Sequence, residues 1–210
     1  MPGAPALQLV TDRHAVAGRT LADTVEAALR GGVTRVQVRE RDLEGAALLR
    51  LVEEMMALAA RQGKAKISVV VNDRLDVALA AGAAGVHLPA AGLPVKQARA
   101  HAGARFRIGR SVHSLAEARA AEKDGASEIL FGPVFATPTK AAFGPPQGIE
   151  ALRKVAEAVR IPVWAIGGIN PETAPALRGL PIAGIAAIGA FFASADPAQA
   201  AHDLRAALEG

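Results

Sequence analysis

The sequence predicts an α/β chain folded as a single (β/α)8 barrel of parallel strands spanning residues 1–210. Three observations predict it. Short β-type runs alternate with longer stretches of helical period along the whole chain. The β-type runs are nearly continuous in apolar residues, as in Ile67-Ser-Val-Val-Val71, which suits parallel strands covered on both faces. Eight repeats in 210 residues give a unit of about 26 residues, compact but within the range of such barrels. An open doubly wound sheet is the rival, and no G-x-G-x-x-G follows the first strand to support its dinucleotide form. No linker, low-complexity tract or second domain interrupts the pattern.

The expected strands, in order, are Leu7–Thr11, Arg35–Arg39, Ile67–Val71, Gly85–Leu88, Arg107–Gly109, Glu128–Phe131, Val163–Ile166 and Ala183–Ile188. Helices are expected after each. Thr20 with Asp23, and Ser114 with Glu117, have the spacing of a capping box and open the first and fifth helices. Leu48, Leu51, Val52 and Met55 form the apolar stripe of the second helix. Asn170-Pro171 and Asp196-Pro197 each set a cap residue before a first-turn proline, opening the seventh and eighth.

Composition narrows the function. With 24 Lys and Arg against 20 Asp and Glu, the formal charge is 24 − 20 = +4. Basic residues form no dense cluster, and aromatics are only 3%, so nucleic acid is not expected as a partner. The absence of cysteine excludes disulfides, thiolate metal sites and a Cys nucleophile. Apolar stretches are too short for a membrane span, and the N-terminus shows no signal-peptide pattern, so a cytoplasmic protein is expected. A homo-oligomer is left open.

Chemistry in such a barrel sits where strands end and helices begin. Strand two ends in Gln37, Arg39, Glu40 and Arg41. Gln37 and Arg39 share a face, and guanidinium groups suit a phosphate or diphosphate. Strand three ends in Asn72-Asp73. Asp73 suits magnesium, or either residue caps the next helix. Strand four carries His87, read as a satisfied core or rim histidine and kept as a minor acid–base candidate. Strand five ends near Ser111 and His113, a pair without an acidic orienter and so read as ligand contacts. The long loop Gly132–Gly148 offers Thr137, Thr139 and Lys140 to a phosphate. Gly167-Gly168 and Gly189 end strands seven and eight, the recurrent phosphate site of these barrels. A phosphorylated ligand is the strongest inference from the residues themselves.

Taken jointly and in order, several motifs resemble the thiamin phosphate synthase and TenI (thiazole tautomerase) superfamily. They are Leu9-Val-Thr-Asp12, Gln37-Val-Arg-Glu-Arg41, Val71-Asn-Asp-Arg-Leu-Asp-Val77, Gly85-Val-His-Leu88, Phe131-Gly-Pro-Val-Phe-Ala-Thr-Pro-Thr-Lys140 and Ala165-Ile-Gly-Gly168. The resemblance implies a barrel acting on a phosphorylated thiazole. In the synthase branch, Gln37, Arg39, Arg41 and Asn72 would hold hydroxymethylpyrimidine diphosphate. Ser111 and Lys140 would contact its diphosphate, and Asp73 would ligate magnesium. Thr137, Thr139, Gly168 and the turn at Gly189 would hold thiazole phosphate.

The sequence departs from both branches. Gly92 stands where the synthase branch has a second magnesium-binding Asp, and Gly189 where it usually has Ser. Pro133 stands where the TenI branch carries its His, leaving Lys140, His113 or Glu40 as acid–base groups. The segments Leu88–Gln97 and Ile108–Leu115 look TenI-like, so the first expectation is a TenI-like tautomerase that needs no metal. Arg39, Lys140 and His113 are expected in the chemical step. The alternative is thiamin phosphate synthase with magnesium, and a third reading is a non-catalytic regulator that binds a phosphorylated ligand.

Overall fold

The structure is a computed structural model, and it describes residues 5–16, 18–63, 67–137 and 145–209. Eight strands run β1 Ala6–Val10, β2 Arg35–Val38, β3 Ser68–Asn72, β4 Gly85–Leu88, β5 Arg107–Val112, β6 Glu128–Phe131, β7 Val163–Ile166 and β8 Gly184–Ala187. Each pairs in parallel with the next, and β8 pairs with β1, closing the barrel. The expected fold class is therefore the observed one. Strand five runs three residues past its expected end, because Arg110, Ser111 and Val112 pair in register with Ile129, Leu130 and Phe131.

The covering helices are α1 Leu21–Arg30, α2 Gly45–Arg61, α3 Leu75–Ala80, α4 Val95–Ala102, α5 Leu115–Lys123 and α6 Ile149–Ala158. A one-turn α7, Gly189–Phe192, then precedes α8, Pro197–Glu209. The helix expected after β7 is instead a single 3-10 turn, Ala174–Leu177. The Asn170 side chain accepts the Thr173 N–H at 2.9 Å, closing the turn before this element, whose own N-cap is Thr173 without a side-chain bond. Pro175 then removes a backbone donor, and Gly179 enters the left-handed region at φ 71°. Thr20 and Asp23 complete both arms of their capping box. Ser114 makes only one arm, because the Glu117 carboxylate takes the His113 N–H at 2.7 Å.

Alternation along the strands divides the side chains into two sets. Leu7, Leu9, Val36, Val38, Ile108 and Ile129 face outward and pack against buried helix residues such as Val52, Met55 and Leu204. The inward set has a small apolar cluster of Val10, Leu130, Trp164 and Ala186. The interior also holds buried polar residues, among them Gln8, Arg35, Gln37, His87 and Glu128. Arg35 on β2 reaches across the barrel to Glu128 on β6, donating from both terminal nitrogens to both carboxylate oxygens, the Nη1–Oε2 bond at 2.8 Å. Both residues are buried, and the Arg35 guanidinium lies 4.9 Å from the Trp164 ring centroid. An ion pair so placed anchors opposite walls of the barrel below the strand ends.

Candidate active site

The carboxyl ends of the strands bring most of the expected residues to one face. Gln37 is buried at the top of β2, and Arg39 follows it half-buried. The backbone there is pinned from β1: the Arg39 N–H donates to Thr11 Oγ1 at 2.8 Å. Glu40, one of the expected acid–base groups, is committed elsewhere. Both of its carboxylate oxygens accept the Arg13 N–H at 3.2 Å, which locks the loop after β1. Arg13 also forks onto Asp42, and the bonds from Arg13 and His14 hold the Asp42 carboxyl well below the usual carboxylate range.

Arg39 and Arg41 make no ion pair among the described residues. Burial, and next the charge of Arg41, pull the Arg39 guanidinium below its ordinary pKa, against Asp12 and Glu40. A desolvated cation beside a like charge is a receptor for an anion. Arg39 remains charged throughout the physiological range.

Asn72 ends β3 nearly buried, and Asp73 follows in the left-handed region at φ 66°. Its N–H donates to the His87 carbonyl at 2.8 Å. A non-glycine residue held in this region marks a constrained backbone of the kind found at functional sites. Neither Asn72 nor Asp73 caps α3, whose N-cap is Arg74 without a side-chain bond. The capping alternative is thus not realised. Gly92, in the loop after β4, faces Asp73: a Cβ at position 92 would lie 2.8 Å from Asp73 Oδ1. Arg110 fixes this loop by donating to the Ala90 carbonyl at 2.7 Å and the Leu93 carbonyl at 3.0 Å.

Ser111 pairs with His87, not with His113. His87 Nε2 is 2.8 Å from Ser111 Oγ, on adjacent strands. His113 instead turns its Nδ1 to the Gly132 carbonyl and tethers the start of the loop after β6. That loop opens with a cis Gly132-Pro133 peptide and runs beside the end of β7. Val134 N–H donates to the Ile166 carbonyl at 2.9 Å, and Phe135 N–H to the Gly167 carbonyl at 3.0 Å. Gly167 and Gly168 have φ of 100° and 65°, and a Cβ on either would strike Pro133 or the Phe135–Ala136 segment. These glycines are required by conformation and by close approach together. A Cβ at Gly189 would meet nothing within 4 Å among the described residues. Thr137 is among the described residues, and Thr139 and Lys140 lie outside them.

His87 is the residue at the strand ends whose partner, Ser111, sequence reasoning did not find. Complete burial pushes its pKa down to about 4, with Arg35 and Arg110 acting in the same direction and Glu128 against. It is therefore neutral near pH 7. The unfolded chain binds a proton on this imidazole near pH 6.5, whereas the folded chain resists it down to pH 4. The resulting stability is complete above pH 6.5 and is lost as the pH falls towards 4, by up to about 3 kcal/mol. Urea unfolding at pH 7 and pH 4.5 checks this, and a His87→Gln variant loses correspondingly less stability between the two.

A closed parallel barrel whose mouth carries guanidiniums unpaired among the described residues, buried amides and glycine turns defines a class: a (β/α)8-barrel protein with donors suited to an anion at its strand ends. The family model TMP-TENI, described as Thiamine monophosphate synthase, matches residues 7–191, so the chain belongs to that family. It is a thiamin-biosynthesis protein of the synthase/TenI superfamily. The thiamine-phosphate synthase of Albidiferax ferrireducens is 42% identical over 203 residues, covering 97% of this chain and 91% of the relative. That of Anaeromyxobacter dehalogenans is 44% identical over 183 residues, covering 87% and 81%. Among solved structures, the thiamine phosphate pyrophosphorylase from Pyrococcus furiosus superposes with a TM-score of 0.86 at 36% identity, over 97% of this chain and 95% of that one. No helix among the described residues is long and apolar enough to cross a membrane.

Proposed function

We propose that the protein is a thiamin phosphate synthase, a transferase joining hydroxymethylpyrimidine diphosphate to thiazole phosphate. This replaces the tautomerase as the leading reading, since the curated relatives are named for the synthase. The observation that carries it is the half-buried Arg39 beside Arg41, two cations with no ion pair among the described residues at the strand ends. A diphosphate leaving group needs them, and a proton transfer on a thiazole does not. In the reaction the pyrimidine methylene–oxygen bond breaks, and its electron pair leaves with diphosphate. The thiazole nitrogen then donates its pair to the methylene carbon. Arg39 and Arg41 offset charge developing on the leaving oxygen, with Lys140 added from the sequence. Gln37 and Asn72 orient the pyrimidine diphosphate, and Ser111 contacts the diphosphate. Thr137, Thr139, Gly167, Gly168 and Gly189 hold the thiazole phosphate.

The residues fit magnesium in a reduced form. Asp73 is the carboxylate that would hold it, and no group of three or more His, Cys, Asp or Glu converges among the described residues. Magnesium accepts one carboxylate when substrate oxygens and water complete its shell. When bound it would neutralise the departing diphosphate. The tautomerase stands as the second reading because Gly92 offers no carboxylate beside Asp73. Arg39→Met tests the proposal: diphosphate release falls on the order of 100-fold in kcat/KM, about 3 kcal/mol of transition-state stabilisation. Wild-type release of diphosphate that Arg39→Met leaves unchanged would remove Arg39 from the chemistry.

A further inference from the structure

Ser111 is held from inside the barrel by a residue that the transfer chemistry leaves unused. Its one side-chain hydrogen bond among the described residues is to His87, at 2.8 Å. The backbone of His87 is held in the sheet. Its main-chain carbonyl accepts the Asp73 N–H, tying it to the end of β3. A Cβ at Gly109 would come 2.8 Å from His87 Nδ1 and 3.3 Å from Glu128 Oε1, so the ring fills the space this glycine leaves. Glu128 is fixed in turn by Arg35. The charged groups acting on the ring are Glu128 from β6, Arg35 from β2 and Arg110 from β5.

A neutral imidazole carries one proton, on either nitrogen. With the proton on Nδ1, Nε2 accepts from Ser111, and the hydroxyl turns lone pairs to the cavity. With the proton on Nε2, the imidazole donates to Oγ, and the Ser111 O–H is free to donate outward. Only the second polarity suits an anion. We propose that His87 is a positioning residue that sets the direction of the Ser111 hydroxyl: in the anion complex, His87 Nε2–H donates to Ser111 Oγ and Ser111 O–H donates to a diphosphate oxygen. Net charge on the pair does not change, so the barrel interior avoids an ionisation on binding. The identity of the anion rests on the synthase reading.

The test uses inorganic diphosphate with magnesium as the probe. Nitrogen-15 spectra of the wild-type protein assign the His87 tautomer, and the diphosphate complex is expected to show Nε2 protonated and Nδ1 bare. By calorimetry, Ser111→Ala weakens diphosphate about 10-fold and His87→Phe about 5-fold, as for one hydrogen bond to a charged group. The double variant stays within about twofold of Ser111→Ala alone, because the second residue acts through the first. His87→Gln, which keeps an N–H donor, restores binding to within about threefold of wild type. Losses that multiply in the double variant, or a bare Nε2 in the complex, overturn the inference. Where His87→Phe fails to fold, the wild-type spectra decide. Coupled diphosphate binding in a protein that forms no thiamin phosphate would sink the synthase reading and leave this inference standing.

Discussion

Glu128→Gln destabilises the barrel by about 3–5 kcal/mol, the cost of leaving one member of a buried ion pair without its partner. Arg35 is 3% exposed and Glu128 5%, so water cannot compensate the guanidinium. The loss reads directly in the urea midpoint, and a change below about 1 kcal/mol would show that the pair is not closed as described. The pair as a whole is a weaker source of stability than its breakage suggests, since desolvation offsets much of the attraction. A double variant, Arg35→Met with Glu128→Leu, therefore recovers much of the lost stability. What it forfeits is the cation beside Trp164 and the carboxylate beside His87, so activity falls more than stability does.

Gly92→Asp gives the largest expected gain. The half-maximal magnesium concentration for thiamin phosphate formation falls about 10-fold, equivalent to about 1.4 kcal/mol from a second carboxylate facing Asp73. The substitution is tight but feasible. The new Cβ meets Asp73 Oδ1 at 2.8 Å, a side-chain end free to turn, and Pro89 Cδ at 2.9 Å, which must shift slightly. Without metal the two carboxylates repel, so magnesium raises the melting temperature of the variant more than that of wild type. A folded variant with unchanged magnesium dependence and no such thermal shift would show that position 92 does not limit metal binding.

The strand order, the barrel and the placement of Arg39, Asn72, Ser111 and Gly167 at one end were legible because periodicity and strand ends are local signals. The seventh helix was not, since Asn170 closes only a turn ahead of it, and Pro175 and Gly179 act against propagation beyond one turn. The interior was also hidden. Arg35 and Glu128 lie 93 residues apart, and each alone reads as an ordinary charged strand terminus. Their common inward parity with Gln37 and Leu130 was the available signal. The histidine partner of Ser111 was misjudged for a related reason. His113 is nearer in sequence, but the register that sets His87 beside Gly109 brings its ring to Ser111. Register between strands is a tertiary property. Gly92 opposite Asp73 was expected from resemblance, and the structure brings the two positions together.

Synthase activity is read by incubating the wild-type protein with hydroxymethylpyrimidine diphosphate, thiazole phosphate and magnesium, against a chelated control. The expected result is magnesium-dependent thiamin phosphate formation at ordinary enzyme rates, on the order of 0.1–10 per second. No product from folded protein, in an assay that works with an authentic synthase, would contradict it. Chelator-insensitive conversion of thiazole carboxylate phosphate in the same preparation would then return the tautomerase to first place.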